Sequence, residues 1–168
     1  MSLYFIALLP DDRLLEKIGN IKKEIKESYG PRHALKLPPH ITIQIPFDMA
    51  EELEPVLEES LVNFSRNEEE FEIELSGFGA FKQRVIFIKI KEPTAINELH
   101  VGLQEVLKQS VGLDTKEQVE NLHPHITLAT RDLKKEVFRA IWNEFKNREF
   151  LSSFMAKELY VFKHNGKT

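Results

Sequence analysis

The chain has 168 residues, 42% of them hydrophobic and 30% charged, with a net charge of −4 and no cysteine. That length suits one compact domain or two small lobes sharing a core, and the absence of thiols excludes disulfides, thiolate metal sites and cysteine nucleophiles. The acidic balance argues against a grip on a long nucleic-acid tract, so any such ligand would be held at an end or a single phosphate.

In chain order, Tyr4 to Leu9 is a short apolar run closed by Pro10 and reads as a buried strand. Asp11 or Asp12 can cap a helix with Leu14, Ile18, Ile21 and Ile25 on one stripe, ended by Gly30-Pro31. His33 to Leu37 lead into a strand over His40-Ile41-Thr42-Ile43 that ends near Pro46. Asp48 opens an acidic helix, interrupted at Pro55, with Leu53, Val56, Leu57, Leu61 and Phe64 inward. Asn67 to Glu70 connects it to an alternating strand, Phe71, Ile73 and Leu75, which runs into Gly77-Phe78-Gly79-Ala80-Phe81.

The order then repeats. Val85 to Ile90 is a strand, and Pro93 starts a helix carrying Ile96, Leu99, Leu103, Val106 and Leu107 that ends at Gly112. His125-Ile126-Thr127-Leu128 is a strand, and Asp132 caps a helix with Leu133, Val137, Phe138, Ile141 and Phe145. Met155 to Phe162 is a last strand, and Asn165-Gly166 signals a two-residue hairpin turn close to the end. Glu74-Leu75 and Glu158-Leu159 share a frame across the two closing strands. The expectation is an α+β fold in one domain, 1–168. Two duplicated halves, about 1–81 and 82–168, set two mostly antiparallel sheets around a pseudo-two-fold cleft with helices outside.

The repeat carries chemistry. Each half holds Pro, His, Ile, Thr and an aliphatic residue in a row, at His40–Ile43 and at His125–Leu128. Strand residues i and i+2 share a face, so each histidine points the same way as the threonine after it. Imidazole titrates near neutrality, so one ring can accept a proton while the other donates one. Threonine hydroxyls suit phosphoryl oxygens that gain charge, and in-line displacement at phosphorus needs a base on one side and an acid on the other. A phosphate ester beside a ribose hydroxyl, such as a 2′,3′-cyclic phosphate, then needs no metal.

These paired motifs resemble those of the two-histidine (2H) phosphoesterases, in particular the bacterial 2′-5′ RNA ligase-like branch. Phe5-Ile6-Ala7-Leu8 and Gly77–Phe81 extend the likeness over nearly the whole chain. The resemblance implies a bilobal α+β fold and metal-independent 2′,3′-cyclic phosphodiesterase activity, sometimes with reversible ligation of 2′-5′ RNA ends. It implies His40 and His125 as the acid–base pair, Thr42 and Thr127 as phosphate holders, and neither metal nor cofactor. Relatives often carry an arginine five positions after the second histidine. Here Thr130 stands there and Arg131 follows, which strand alternation turns to the other face unless a bulge intervenes.

Around the motifs, Phe78 and Phe81 are candidates for stacking a base, His123 for the rim, Arg131 for lining the substrate, and Arg32, Lys36, Lys82 and Arg84 for a phosphate path. His33, His100 and His164 fit surface or helix-edge roles. Ordinary strand histidines and a zinc pair are the competing readings of the motifs, the second lacking a third ligand in register. The expected ligand is an RNA end or a small nucleotide cyclic phosphate. The alternative is a module that binds or senses a nucleotide in the same cleft without turnover. No apolar run approaches the roughly 18 residues of a membrane span. Met1-Ser2-Leu3-Tyr4 lacks the basic start of a secretion signal, so a cytoplasmic monomer is expected.

Overall fold

The structure, a computed structural model, describes residues 1–164 and Gly166. Strand β1 (Ser2–Leu8) leads into helix α1 (Asp12–Tyr29). Asp11 caps α1 by accepting from the Leu14 amide at 3.0 Å, and Gly30 ends it at φ 103°, where a side chain would be strained. Its stripe of Leu14, Ile18, Ile21 and Ile25 is fully buried, as the spacing requires.

Strand β2 (Ile41–Met49) runs past Pro46, three residues further than expected. The β1–β2 register shifts between Tyr4 and Ile6, opposite Ile45 and Pro46, so a bulge takes up the residue that cannot donate. Helix α2 (Glu54–Arg66) therefore starts after Asp48, with Pro55 in its first turn, where a missing amide costs nothing. Next come β3 (Phe71–Phe81), β4 (Val85–Ile90), α3 (Thr94–Val111) and β5 (His125–Ala129). Helix α4 (Lys135–Phe145) follows. Asp132 does not cap α4. Its carboxylate instead accepts from the backbone amides of Arg32 and His33 at 2.8 and 3.0 Å, tying the second half to the loop ahead of His40.

The run from Met155 to Phe162 is not one strand but parts of two, β6 (Leu151–Ala156) and β7 (Tyr160–Lys163). Glu158-Leu159 lies between them, so the frame it shares with Glu74-Leu75 does not join equivalent strands. The sheet order is β6-β3-β4-β5-β2-β1-β7, antiparallel at every pairing. β6 and β7 thus sit at opposite ends of seven strands, yet only residues 157–159 separate them. A chain that short spans about 14 Å, whereas seven flat strands would set the edges roughly 29 Å apart. The sheet must curl.

The two half-sheets expected from the repeat meet edge to edge, β2 against β5, through one residue pair, Ile41↔Ile126. Those residues are separated by the same interval as the two motif histidines, so the pseudo-two-fold axis passes through the pair. Each half gives its closing strand away: β3 pairs with β4, and β7 with β1. Helix α1 packs on β5 and α3 on β2, a second exchange between halves. Ile41, Ile43, Ile86, Ile88, Ile126 and Leu128 join the buried helix stripes in one continuous apolar core. The Asn165-Gly166 turn involves residues outside the described ones. No described helix is long and apolar enough to cross a membrane.

Candidate active site

In an antiparallel pair, the residues on either side of an opposed couple oppose each other crosswise. The Ile41↔Ile126 pairing therefore sets His40 across from Thr127, and Thr42 across from His125. Both isoleucines are fully buried, so the four polar side chains share the other face of the sheet. Each imidazole lies beside one threonine along its own strand and another across the seam.

Both rings are fixed in the same way. Nδ1 of His40 lies 2.8 Å from the carbonyl of Pro38, and Nδ1 of His125 lies 2.6 Å from the carbonyl of His123. A carbonyl only accepts, so each Nδ1 carries the hydrogen and each neutral ring presents Nε2 as a bare base. The buried prolines between, Pro39 and Pro124, hold the extended turn that brings the i−2 carbonyl back. Burial lowers the pKa of both rings below the ordinary histidine value. The Pro38 and His123 carbonyls oppose that shift, while positive charge on Lys22 and His125 adds to it at His40. His123 charge adds to it at His125. Among the described residues, neither threonine hydroxyl bonds to another protein group, and no three His, Asp or Glu side chains are grouped to hold a metal.

Stacked phenylalanines flank each ring, one pair per half. Phe5 and Phe162 stack at 4.7 Å, with Phe5 5.4 Å from the His40 ring. Phe81 and Phe87 stack at 4.5 Å, with Phe87 5.1 Å from the His125 ring. Phe5, Phe87 and Phe162 are not among the stacking candidates read from the sequence; their positions on strands beside the motif strands or one strand further out are the signal that marks them. Phe81 is brought beside the His125 ring, 5.5 Å away, and His123 packs edge-on against it at 4.6 Å. Phe78 is not. It is 5% exposed and packs edge-on against Phe145 and Phe150, because a residue three before Phe81 on a strand faces the opposite way.

Arg131 follows the end of β5 in a left-handed conformation, φ 57°, and its charge acts on His33 rather than on either motif ring. The loop ahead of His40 is held from below by Lys22, only 3% exposed, whose ammonium donates to the carbonyls of Ala34 and Leu37 at 2.9 and 3.2 Å. Burial pushes that ammonium down to about 8. The second half clamps the equivalent loop from α3. Gln104 accepts from the Val119 amide at 2.7 Å, and the His100 ring nitrogens lie 2.6 and 3.0 Å from the carbonyls of Ile43 and Val119. His100 is thus a buried brace, 1% exposed, and not a surface residue.

Known proteins resemble this chain in sequence and in fold. The family model of the 2′-5′ RNA ligase superfamily matches residues 10–168. A protein of Oceanobacillus iheyensis, provisionally named a phosphoesterase, is 28% identical over 149 residues, covering 88% of this chain and 81% of that one. A Geobacillus kaustophilus protein of similar name is 25% identical over 145 residues, 85% of this chain and 77% of its own length. Among solved structures, TT0787 of Thermus thermophilus superposes with a TM-score of 0.67 at 20% identity, covering 96% of this chain and 87% of that one. E. coli LigT complexed with 3′-AMP gives 0.62 at 18% identity, covering 96% and 87%. At those identities the structures establish the shared α+β fold.

Proposed function

The chain belongs to the 2′-5′ RNA ligase superfamily, and on that footing we propose that it is a phosphoesterase opening 2′,3′-cyclic phosphates at RNA or nucleotide ends. The observation that carries this reading is the crosswise square of His40, Thr42, His125 and Thr127, with both Nδ1 atoms tied back and both Nε2 atoms free. The relatives named as phosphoesterases and the 3′-AMP bound by LigT support it.

In hydrolysis a water oxygen attacks phosphorus while one neutral Nε2 takes its proton. The bond from phosphorus to one ribose oxygen breaks, and the protonated Nε2 across the seam gives its hydrogen to that oxygen. One proton enters the pair and one leaves, so the product is a phosphomonoester and the site's net charge is restored. Thr42 and Thr127 donate to the non-bridging oxygens as their charge rises. With the 5′-hydroxyl of a second RNA end replacing water, the same forward steps break the bond from phosphorus to the 3′-oxygen and form a 2′-5′ linkage. In the reverse reaction, cleavage of that linkage by the 3′-hydroxyl, the two rings exchange roles.

The test is turnover of a 2′,3′-cyclic nucleotide followed by phosphorus NMR, before and after dialysis against EDTA. Hydrolysis that survives chelation is expected. Loss on chelation with recovery by zinc or manganese would replace the two-histidine mechanism by a metal one, and binding without turnover would leave a nucleotide-binding module.

A further inference from the structure

Helices α1 and α3 have eighteen residues each, and each holds the loop ahead of one motif histidine. The side chains that do so, Lys22 and Gln104, are both the eleventh residue of their helix. The two halves thus put a buried cation and a neutral amide at the same place. Gln104 shows that a loop can be held from there without a charge. What sets Lys22 apart is the ammonium itself, 3% exposed, with two carbonyls as its partners. A buried charge is costly, and burial pushes this one down to about 8.

The carbonyls place that charge. Ala34 lies in the 3₁₀ turn His33–Lys36, Leu37 ends it, and Pro38-Pro39-His40 follow. The turn is gripped at both ends: Asp132 takes the amides of Arg32 and His33, and Lys22 takes the carbonyls of Ala34 and Leu37. An anion therefore meets the amide end and a cation the carbonyl end, the sense that the peptide dipoles favour. One residue beyond Leu37, the Pro38 carbonyl stands 2.8 Å from Nδ1 of His40.

We propose that Lys22 is a positioning residue for the reaction: it fixes the turn that leads to the Pro38 carbonyl, keeps the His40 ring aimed at the seam through it, and sets behind His40 a positive charge that the second half lacks at Gln104. The inference rests on the phosphoesterase reading above and adds an inequality between the two rings.

Below about 8 the ammonium is protonated, so it is charged throughout the range in which imidazole titrates and makes a proton on His40 costlier. On α1 the neighbouring Lys23 and Lys26 are exposed. The elements packed against α1 bring His33 and Lys36 on the turn, His125 on β5, Arg131 and Asp132 just beyond it, and Glu144 on α4. Of these, His125 also acts on His40, and none acts on Lys22. Strands β1 and β7 meet the His40 ring with Phe5 and Phe162, which carry no charge.

Two variants test the inference. Lys22→Met removes donor and charge, whereas Lys22→Gln removes the charge and keeps a donor. Proton–carbon NMR of the imidazoles, with the two rings assigned from His40→Ala and His125→Ala, follows each titration without substrate. In both variants His40 should titrate at higher pH than in the wild type, and His125 should move less. On adenosine 2′,3′-cyclic phosphate, Lys22→Met should lose roughly 10-fold or more in kcat with KM within about two-fold, because a buried residue orients the ring without touching substrate. Lys22→Gln should lose less. A His40 titration that does not rise, or an equal rise in both rings, overturns the inference, as does a Lys22→Met kcat within about two-fold of wild type. If Lys22→Met does not fold, the titration of Lys22→Gln decides. If the wild type turns over no cyclic phosphate, the phosphoesterase reading fails, and the titrations still decide whether Lys22 acts on His40.

Discussion

His40 and His125 each meet one carbonyl, one stacked phenylalanine pair and two threonines, so neither is a spectator by environment. Each general acid–base role is typically worth 10²–10⁴-fold, so His40→Ala and His125→Ala should each lose about that much kcat/KM on a cyclic nucleotide. The double variant should lose far less than the product, because the rings act as one unit. His123→Ala keeps the carbonyl that holds His125 and should stay within about a few-fold of wild type. A loss there equal to that of His125→Ala, with His40→Ala silent, would refute the pairing. Burial lowers both rings, so the pH profile of kcat/KM should be bell-shaped with its centre below about 6.5, the usual histidine value. The sign for stability follows. Between the lowered values and 6.5 the unfolded chain holds more protons, so the native state loses stability as pH falls through that window. A profile centred above neutrality would contradict the burial of the pair. The motif residues were legible in the sequence because the repeat doubles a signal that a single copy would not give. Phe78 was misplaced because Phe-Gly-Ala-Phe permits either phenylalanine to face the site until the register is known.

At the scale of elements, two features set costs that can be measured. The β3–β4 hairpin turns at Lys82 and Gln83, both at positive φ, 46° and 57°, with Arg84 donating back to Phe81 at 2.8 Å. That geometry favours Asn-Gly, and this chain uses neither residue. Gln83→Gly should raise stability by about 0.5–1 kcal/mol in denaturant unfolding, and a decrease would mean that the turn is not left-handed in solution. The second feature is the Lys22 clamp under the loop ahead of His40. Its ammonium, lowered to about 8 from 10.5, leaves the unfolded chain holding more protons between those values. The cost is therefore full below about pH 8 and relieved as pH rises. Lys22→Met removes the titration, so the stability of wild type minus that of the variant should grow by roughly 1 kcal/mol from pH 7 to 9. A constant difference would show the amine to be solvated. Neither element was legible beforehand. The helix stripe marked Ile18, Ile21 and Ile25 as inward, but a lysine beside them reads as surface until a loop is seen to cover it. Likewise Asp132 reads as a helix cap until its partners prove to be amides in the other half, far away in sequence.

For the whole molecule, the duplicated order of elements was readable to within one strand, and the error is informative. Periodicity shows that a segment is a strand but not which edge it joins, so β6 and β7 merged into one run, and the exchange of closing strands stayed hidden. That exchange makes the halves interdependent. Removing residues 157–168 takes away β7, unpairs β1 and strips Phe162 from Phe5. The truncated protein should lose cooperative thermal melting, because an uncovered edge and a broken stack together outweigh a margin of about 5–15 kcal/mol or leave little of it. Retention of a sharp transition near the wild-type temperature would show that β7 is dispensable. The same pairing orders events during synthesis. Strand β1 leaves the ribosome long before its partner β7, and at roughly 5–20 residues per second the wait is many seconds. Throughout that interval the nascent chain carries an open edge beside the His40 motif, and the square of His40, Thr42, His125 and Thr127 cannot form before β5 has been made.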